Sequence, residues 1–308
     1  MSVVGSYEGV IGVDVGGTRI KAALVDDAGR ILARAGCPTP DRSDPEAVLS
    51  AVAEIVKALR QDEQIGGLGV AVPGIIDEPR GVAVLAANLG WRDTPVRDLL
   101  AARTGLPVTL GHDVRSACLA EWQVGAGRRS SDLLLVTLGT GIGAGVVADG
   151  RLLRGGGYAG QLGHVVVDPD GDACGCGQRG CLATVASATS LVRRYQERTS
   201  RADLSAAEVM RRASAGDPAA VAVVTDATSA LAGALASAVT VFGSDTVVVG
   251  GGLALAGEQL LAPVRAALRE SLTFQRKPTV VAAELGDESG VVGAALLART
   301  WPDPAGSP

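Results

Sequence analysis

Residues 9–34 read GVIGVDVGGTRIKAALVDDAGRILAR. The apolar run Gly9–Val15 stops at Gly16-Gly17-Thr18 and resumes over Arg19–Val25; turn residues fill Asp26–Gly29, and Ile31–Arg34 follows. Runs of this length broken by short glycine- and aspartate-containing turns predict a meander of three strands.

Outward from the meander the pattern becomes alternating. Asp44 can cap a helix whose first turn accepts Pro45 and whose apolar positions Val48, Val52, Ile55 and Leu59 recur at helical spacing. Gly67–Val72 is a strand ending at Pro73-Gly74, and a short helix runs from Thr94-Pro95 to near Gly105. Val108–Leu110 is a strand leading into His112-Asp113, and Val114–Gln123 is helical. The order then restarts with strand Asp132–Leu138, strand Gly145–Ala148, a tight turn at Asp149-Gly150 and a return over Arg151–Leu153. After a mostly helical middle, strand Thr246–Val249 ends in Gly250-Gly251-Gly252, followed by helix Gly257–Leu272, strand Thr279–Ala282 and helix Gly290–Arg299. Two copies of one element order predict two related α/β domains facing each other across a cleft. The boundary belongs in Gly125–Ser131, which gives residues 1–127, joined by a C-terminal helix of about 290–302, and residues 128–289.

With 308 residues, 47% hydrophobic and 20% charged, the chain can bury a sizeable core; at 3% aromatics that core must be Ala, Val and Leu. A net charge of -5 without a basic block excludes nucleic acid and anionic lipid as expected partners and leaves small molecules. Met1–Glu8 is too short and too mixed for a signal peptide, so the cytoplasm is the expected compartment. Ala219–Phe242 approaches the length of a membrane span, but Asp226 interrupts it and Ala, Ser, Thr and Gly fill much of it; a buried helix is expected, and no membrane. A homodimer is expected only because two-fold association is common among enzymes of this size.

Three segments join an apolar strand to glycines: Val13-Asp14-Val15-Gly16-Gly17-Thr18, Leu138-Gly139-Thr140-Gly141-Ile142-Gly143 and Val249-Gly250-Gly251-Gly252. Glycine lets phosphate oxygens approach backbone N–H groups, and a neighbouring Thr hydroxyl adds a donor, although each segment alone is equally well a plain turn. No G-x-x-x-x-G-K-[ST] occurs, which excludes a P-loop kinase. Gly139–Gly145 runs into a hairpin rather than a helix, against a dinucleotide-binding fold.

His164 and the run Cys174-Gly175-Cys176-Gly177-Gln178-Arg179-Gly180-Cys181 place one imidazole and three thiolates within eighteen residues. This is a donor set that structural zinc takes, with no position left for water; scattered buried cysteines are the bland alternative. Cys37 and Cys118 stand alone and are expected to be inert core residues.

The three glycine turns resemble the two phosphate hairpins and the adenosine turn of the actin-like sugar kinases. Gly160-x-Leu162-Gly163-His164 followed by Cys-Gly-Cys-Gly-x-x-Gly-Cys is similar to the signature of the ROK family, which includes bacterial glucokinases, N-acetylated aminosugar kinases and sugar-responsive repressors. The resemblance covers nearly the whole chain. It implies an α/β, actin-like ATPase (ribonuclease H-like) fold of two domains, with ATP, Mg²⁺ and phosphate transfer to the 6-hydroxyl of a sugar lying between them. By position it makes Asp113 the catalytic base, puts Asp14 near Mg²⁺, and assigns ATP to Gly16, Gly17, Thr18, Thr140, Gly141, Gly250, Gly251 and Gly252. Gly74, Asn88, His112, Asp113, Gln161 and His164 are then the sugar side. The alternative for Asp113 is an N-cap on the helix that follows it.

Four positions depart from the glucokinase pattern. His112 stands where an Asn precedes the aspartate, and Arg115 where an Asn follows it by two residues; Gln161 and Ala183 stand where the family has Glu. Two lost carboxylates remove charge-assisted acceptors worth about 1.5–3 kcal/mol each, so glucose should bind poorly and a modified hexose is expected. Kinases of kanosamine (3-amino-3-deoxyglucose) from antibiotic biosynthesis are the favoured match, with a glucokinase or N-acylaminosugar kinase as alternatives. The fewer carboxylates, with His112 and Arg115, make the site less welcoming to an ammonium group unless the amine binds neutral or meets Asp113 and a backbone carbonyl. A repressor would need a helix-turn-helix before the first strand, and the strand begins by Gly9. A catalytically inactive sugar sensor is the alternative of another class.

Overall fold

The computed structural model describes residues 9–60 and 64–300. Met1–Glu8 and the last two positions of the expected C-terminal helix lie outside the described residues. The chain divides into two compact units: the first runs to Val124 and adds Arg154–Tyr158 and the chain from Glu288 on, and the second is Gly125–Leu153 with Ala159–Asp287.

In the first unit β1 (Gly9–Val15), β2 (Arg19–Val25) and β3 (Ile31–Pro38) are antiparallel neighbours, Val13 opposite Ala22 and Ala22 opposite Ala35. Helix α1 (Pro45–Arg60) starts where expected, with the Asp44 carboxylate accepting the Glu46 N–H at 2.9 Å. Strand β4 (Ile65–Val72) is followed by three strands absent from the sequence reading, β5 (Ile75–Asp77), β6 (Val82–Ala86) and β7 (Trp91–Thr94), which form a small antiparallel sheet. They are too short for period-two alternation to show. Helix α2 (Val96–Thr104), strand β8 (Val108–His112) and helix α3 (Asp113–Gln123) follow. The main sheet has the order β3-β2-β1-β4-β8, with β1, β4 and β8 parallel.

The second unit contains β9 (Leu133–Leu138), β10 (Ile142–Ala148), β11 (Arg151–Leu152), α4 (Leu182–Ala186), α5 (Ala188–Thr199), α6 (Ala206–Ser214), α7 (Pro218–Phe242), β12 (Thr246–Gly250), α8 (Glu258–Ser271) and β13 (Thr279–Ala282). Its sheet order, β11-β10-β9-β12-β13, repeats the first sheet strand for strand, with β9 and β10 antiparallel and β9, β12 and β13 parallel. The turn at Asp149-Gly150 has positive φ at both residues, 48° and 68°, as a two-residue hairpin requires. The chain then returns to the first unit as α9 (Ser289–Thr300).

Aliphatic side chains build both cores, each buried Val or Leu contributing about 1.5–3 kcal/mol. Ile11, Val13, Leu68 and Val70 are fully buried in the first sheet. Helix α9 lies on that sheet at very close range: a Cβ on Gly69 would meet the Ala294 carbonyl oxygen at 1.7 Å. In the second unit α7 covers the sheet with Val223, Leu231 and Leu235. Among the described residues α7 is the one helix long and apolar enough to cross a membrane, and half of its apolar window is buried in this core. Cys118 is buried as expected, whereas Cys37 is only half-buried, because β3 is an edge strand.

Candidate active site

Parallel strands end on the same edge of a sheet, and this places the candidate residues. In the first unit Asp14 pairs with Ala71 and Val72 with His112, so Asp14, Pro73-Gly74 and His112-Asp113 follow one another along the carboxyl edge of β1, β4 and β8. The carboxyl edge of a parallel α/β sheet is where ligands bind. In the second unit β9 and β12 end side by side, and a Cβ on Gly251 would lie 2.5 Å from the Leu138 carbonyl oxygen, so the second and third glycine turns are neighbours.

Strand β8 passes into α3 without a loop. His112 is the N-cap, its Nδ1 accepting the Arg115 N–H at 3.4 Å. The N-cap role considered for Asp113 therefore belongs to its neighbour, because the helix begins at Asp113 itself. Asp113 Oδ1 accepts the Val114 N–H at 2.7 Å and lies 3.2 Å from His112 Nδ1, which commits one oxygen and leaves Oδ2 to accept a proton. Asp113 is 33% exposed and His112 only 8%. Burial is the largest influence on the His112 imidazole and holds it below its ordinary value, against the pull of Asp113 and Glu78 and with Arg115 adding to the effect. A neutral ring suits a cap that must accept from a backbone N–H.

Arg115 does not present its charge to a ligand. Its side chain is 1% exposed; Nε and Nη2 donate to Glu78 Oε1 at 3.1 and 2.9 Å, and Nη1 donates to the Gly157 carbonyl at 3.2 Å. Arg154 Nε lies 2.8 Å from Glu78 Oε2. The Arg115 charge is thus buried rather than exposed, with Glu78 shared between two guanidiniums. Glu78 went unnoticed because Asp77-Glu78-Pro79-Arg80 looks like an ordinary polar turn. The signal was Arg115 itself, since a guanidinium in the first turn of a buried helix demands a carboxylate partner.

Glycines that neither backbone nor neighbours require are informative. Gly139, Gly141 and Gly252 have no positive φ, and a Cβ on any of them would meet nothing within 4 Å. A Cβ on Gly17 would meet only the Arg42 side chain, at 3.7 Å. Bare backbone facing open space is a cradle that a side chain would fill. Gly251 is different: its φ of 84° and the Leu138 backbone account for it. Thr18, Thr140 and Gly141 are exposed, Gly16 and Gly17 half-exposed. The Asp14 carboxylate lies against the first turn of α9, 2.6 Å from where a Gly290 Cβ would be, at the end of a helix that favours negative charge. Gly74 has a φ of 117° and packs on the β6 backbone, while Asn88 is exposed in the turn between β6 and β7.

The metal-ligand candidates come together. His164 Nδ1 is 3.6 Å from Cys174 Sγ, Cys176 Sγ is 3.7 Å from Cys181 Sγ, and the four ligand atoms all lie within 4.8 Å of one another. Thiolates at about 2.3 Å from a tetrahedral ion stand about 3.8 Å apart, so the two close pairs already have the spacing zinc requires and the wider ones need only draw in by about 1 Å. The Gln178 backbone N–H is the main influence lowering the Cys176 thiol, while burial, then its thiol neighbours, push Cys181 up to about 12. Gln161 is exposed just before the 3-10 turn Leu162–His164. Ala183, in α4, offers only its carbonyl, which accepts the Ser190 hydroxyl at 2.7 Å.

A profile of the ROK family matches residues 10–301. The chain is 36% identical to a glucokinase of Streptomyces coelicolor, over 96% of this chain and 98% of that one. It is 37% identical to an N-acetylmannosamine kinase of Citrobacter koseri, over 94% and 98%. A ROK family glucokinase from Streptomyces griseus, solved with glucose and AMPPNP, superposes with a TM-score of 0.84 at 34% identity, covering 94% of this chain and 99% of that one. The fold is the expected α/β, actin-like ATPase fold in two domains.

Proposed function

The chain belongs to the ROK family, and on that premise we propose that it transfers a phosphoryl group from ATP to the 6-hydroxyl of a hexose or aminosugar, with Asp113 as the base. The observation that carries this is the carboxylate at the junction of β8 and α3, anchored through Oδ1 and one strand away from the turn after β4. Oδ2 takes the proton of the hydroxyl as its oxygen bonds to the γ phosphorus; the bond to the bridging oxygen breaks and ADP leaves. The unfilled glycines of the turns after β1 and β9 suit phosphate oxygens, with Thr18 and Thr140 as further donors. Asp14 would hold Mg²⁺, which when bound would neutralise charge on the phosphates.

His164, Cys174, Cys176 and Cys181 would hold a structural zinc that fixes the loop carrying Gln161 and His164. Reduced thiols in this set suit the cytoplasm.

The favoured substrate is kanosamine. Gln161 and Ala183 lack the carboxylates that would serve a glucose hydroxyl, and the Arg115 guanidinium is buried against Glu78 rather than exposed to a ligand. A glucokinase is the second reading, favoured by the 36% identity to glucokinases along almost the full chain. A panel of glucose, kanosamine, N-acetylmannosamine and N-acetylglucosamine with ATP, followed by ADP release, tests both. Turnover of kanosamine well above glucose is expected. Equal or faster turnover of glucose would remove the substrate assignment, and no turnover of any sugar would point to a sensor.

A further inference from the structure

Glu78 and Arg115 lie outside the residues that touch sugar or nucleotide in the proposed reaction, yet they form a buried ionic pair in the first unit, two residues from the proposed base. Three segments meet there. Arg115 belongs to the first turn of α3, Glu78 follows β5, and the Arg154–Tyr158 excursion brings Arg154 onto Glu78 Oε2 and the Gly157 carbonyl onto Arg115 Nη1. The excursion is itself shaped for close approach. Gly155, Gly156 and Gly157 all have positive φ, and a Cβ on Gly157 would lie 2.4 Å from the Ile76 carbonyl oxygen. Four residues after Gly157 comes Gln161.

We propose that Arg115, with Glu78 as its counter-ion, is a positioning residue for catalysis: it locks the start of the Asp113 helix to the turn after β5 and to the Gly155–Gly157 segment. A guanidinium does this where an asparagine does not, because its rigid fork holds a carboxylate with two donors while a third reaches a carbonyl. Helix α9 also holds this turn, with Gly293 against the Ser116 backbone, and the pair adds a second anchor that sets its rotation and depth. Removing Arg115 leaves Glu78 to Arg154, and removing Glu78 takes a carboxylate from both guanidiniums, whereas removing both charges of the pair keeps the local charge balance. The inference rests on Asp113 being the base, and the test separates the two.

The experiment measures kcat, KM for sugar and KM for ATP in Arg115→Met, Arg115→Lys, Glu78→Gln, the double variant Glu78→Gln/Arg115→Met, and Gly157→Ala, with Asp113→Asn alongside and melting temperatures throughout. Arg115→Met is expected to lower kcat about 10- to 100-fold with KM for ATP within about twofold, the split that misplacement of a base produces. Glu78→Gln should do the same, and the double variant should be no worse than the worse single one, since the pair acts as a unit. Arg115→Lys should recover part of the loss. Gly157→Ala, which removes no charge, should lower kcat in the same way. If Arg115→Met does not fold, the double variant, which removes both charges of the pair at once, decides. A kcat within twofold of the parent in Arg115→Met, or in the double variant should that one decide, overturns the inference, and so do additive losses or a proportionate rise in KM for ATP. Full activity in Asp113→Asn would instead sink the assignment of the base.

Discussion

Gly293→Ala and Gly233→Ala are the same substitution in the middle of two helices, and they should have opposite effects. In isolation each gains about 0.8–1.0 kcal/mol of helix propensity. On the exposed face of α7, a Cβ at Gly233 meets nothing within 4 Å, so that gain is kept. On α9, a Cβ at Gly293 falls 1.8 Å from the Ser116 carbonyl oxygen and 2.3 Å from its carbon, where ordinary contact starts at 3.4 Å. The obstacle is the backbone of α3, which has no rotamer to change, so the two helices must part by roughly 1.5 Å and lose well-packed contact worth about 1–3 kcal/mol or more. With the propensity gain subtracted, Gly293→Ala is expected to be net destabilising by up to about 2 kcal/mol, or up to about 8 °C at about 2–4 °C per kcal/mol for a domain of this size. Since Ser116 sits one turn from Asp113, kcat should fall as well, by about 10²-fold for a misplacement of 1 Å. Scanning calorimetry and a coupled ADP assay on the two variants settle it. A Gly293→Ala protein as stable and as active as the parent would show that α3 and α9 are not packed this closely.

Asp113→Asn should lower kcat by about 10²–10⁴-fold with the melting temperature nearly unchanged, because the anchoring Val114 N–H can still be accepted by the amide oxygen. His112 is held below 6.5 in the folded protein, so the unfolded chain takes up a proton first as pH falls. Its contribution to stability is full above about pH 6.5 and is lost as pH drops toward the lowered value, so His112→Asn should flatten the acid side of a melting-temperature profile; parallel profiles would refute this. Cys176→Ser, or prolonged chelation, should abolish about one equivalent of zinc by elemental analysis and lower melting temperature and sugar turnover together; full activity without metal would deny the architectural role. Gln161→Glu should raise kcat/KM for glucose about 10-fold or more by restoring a charge-assisted acceptor, and an unchanged value would show that Gln161 does not meet the sugar.

What was legible in the sequence follows the range over which each signal acts. The meander, α1, the turn at Asp149-Gly150 and the four metal-ligand candidates are local patterns, and the structure has them at the expected positions. Topological duplication was legible from element order, since two sheets of identical order need no shared residues. The small β5-β6-β7 sheet was not, as strands of three to five residues carry no periodicity. The partner of Arg115 was invisible because 37 residues separate it from Glu78, and the Arg154–Tyr158 excursion because its glycines look like any flexible turn.

The four departures from the glucokinase pattern therefore do not form one electrostatic change. His112 is a buried cap with a neutral ring, and Arg115 is buried against Glu78, which it shares with Arg154, so neither is an exposed charge. Gln161 and Ala183 are different: where the resemblance expects a carboxylate, one side chain is an amide and the other has no polar atom. Discrimination among sugars should then come from hydrogen bonds that a hydroxyl no longer finds, and an unmade bond in a closed site costs more than a made one returns. A sugar that differs from glucose at one hydroxyl loses less there than glucose does, which is why selectivity can change while the base, the glycine turns and the metal-ligand set stay as they are.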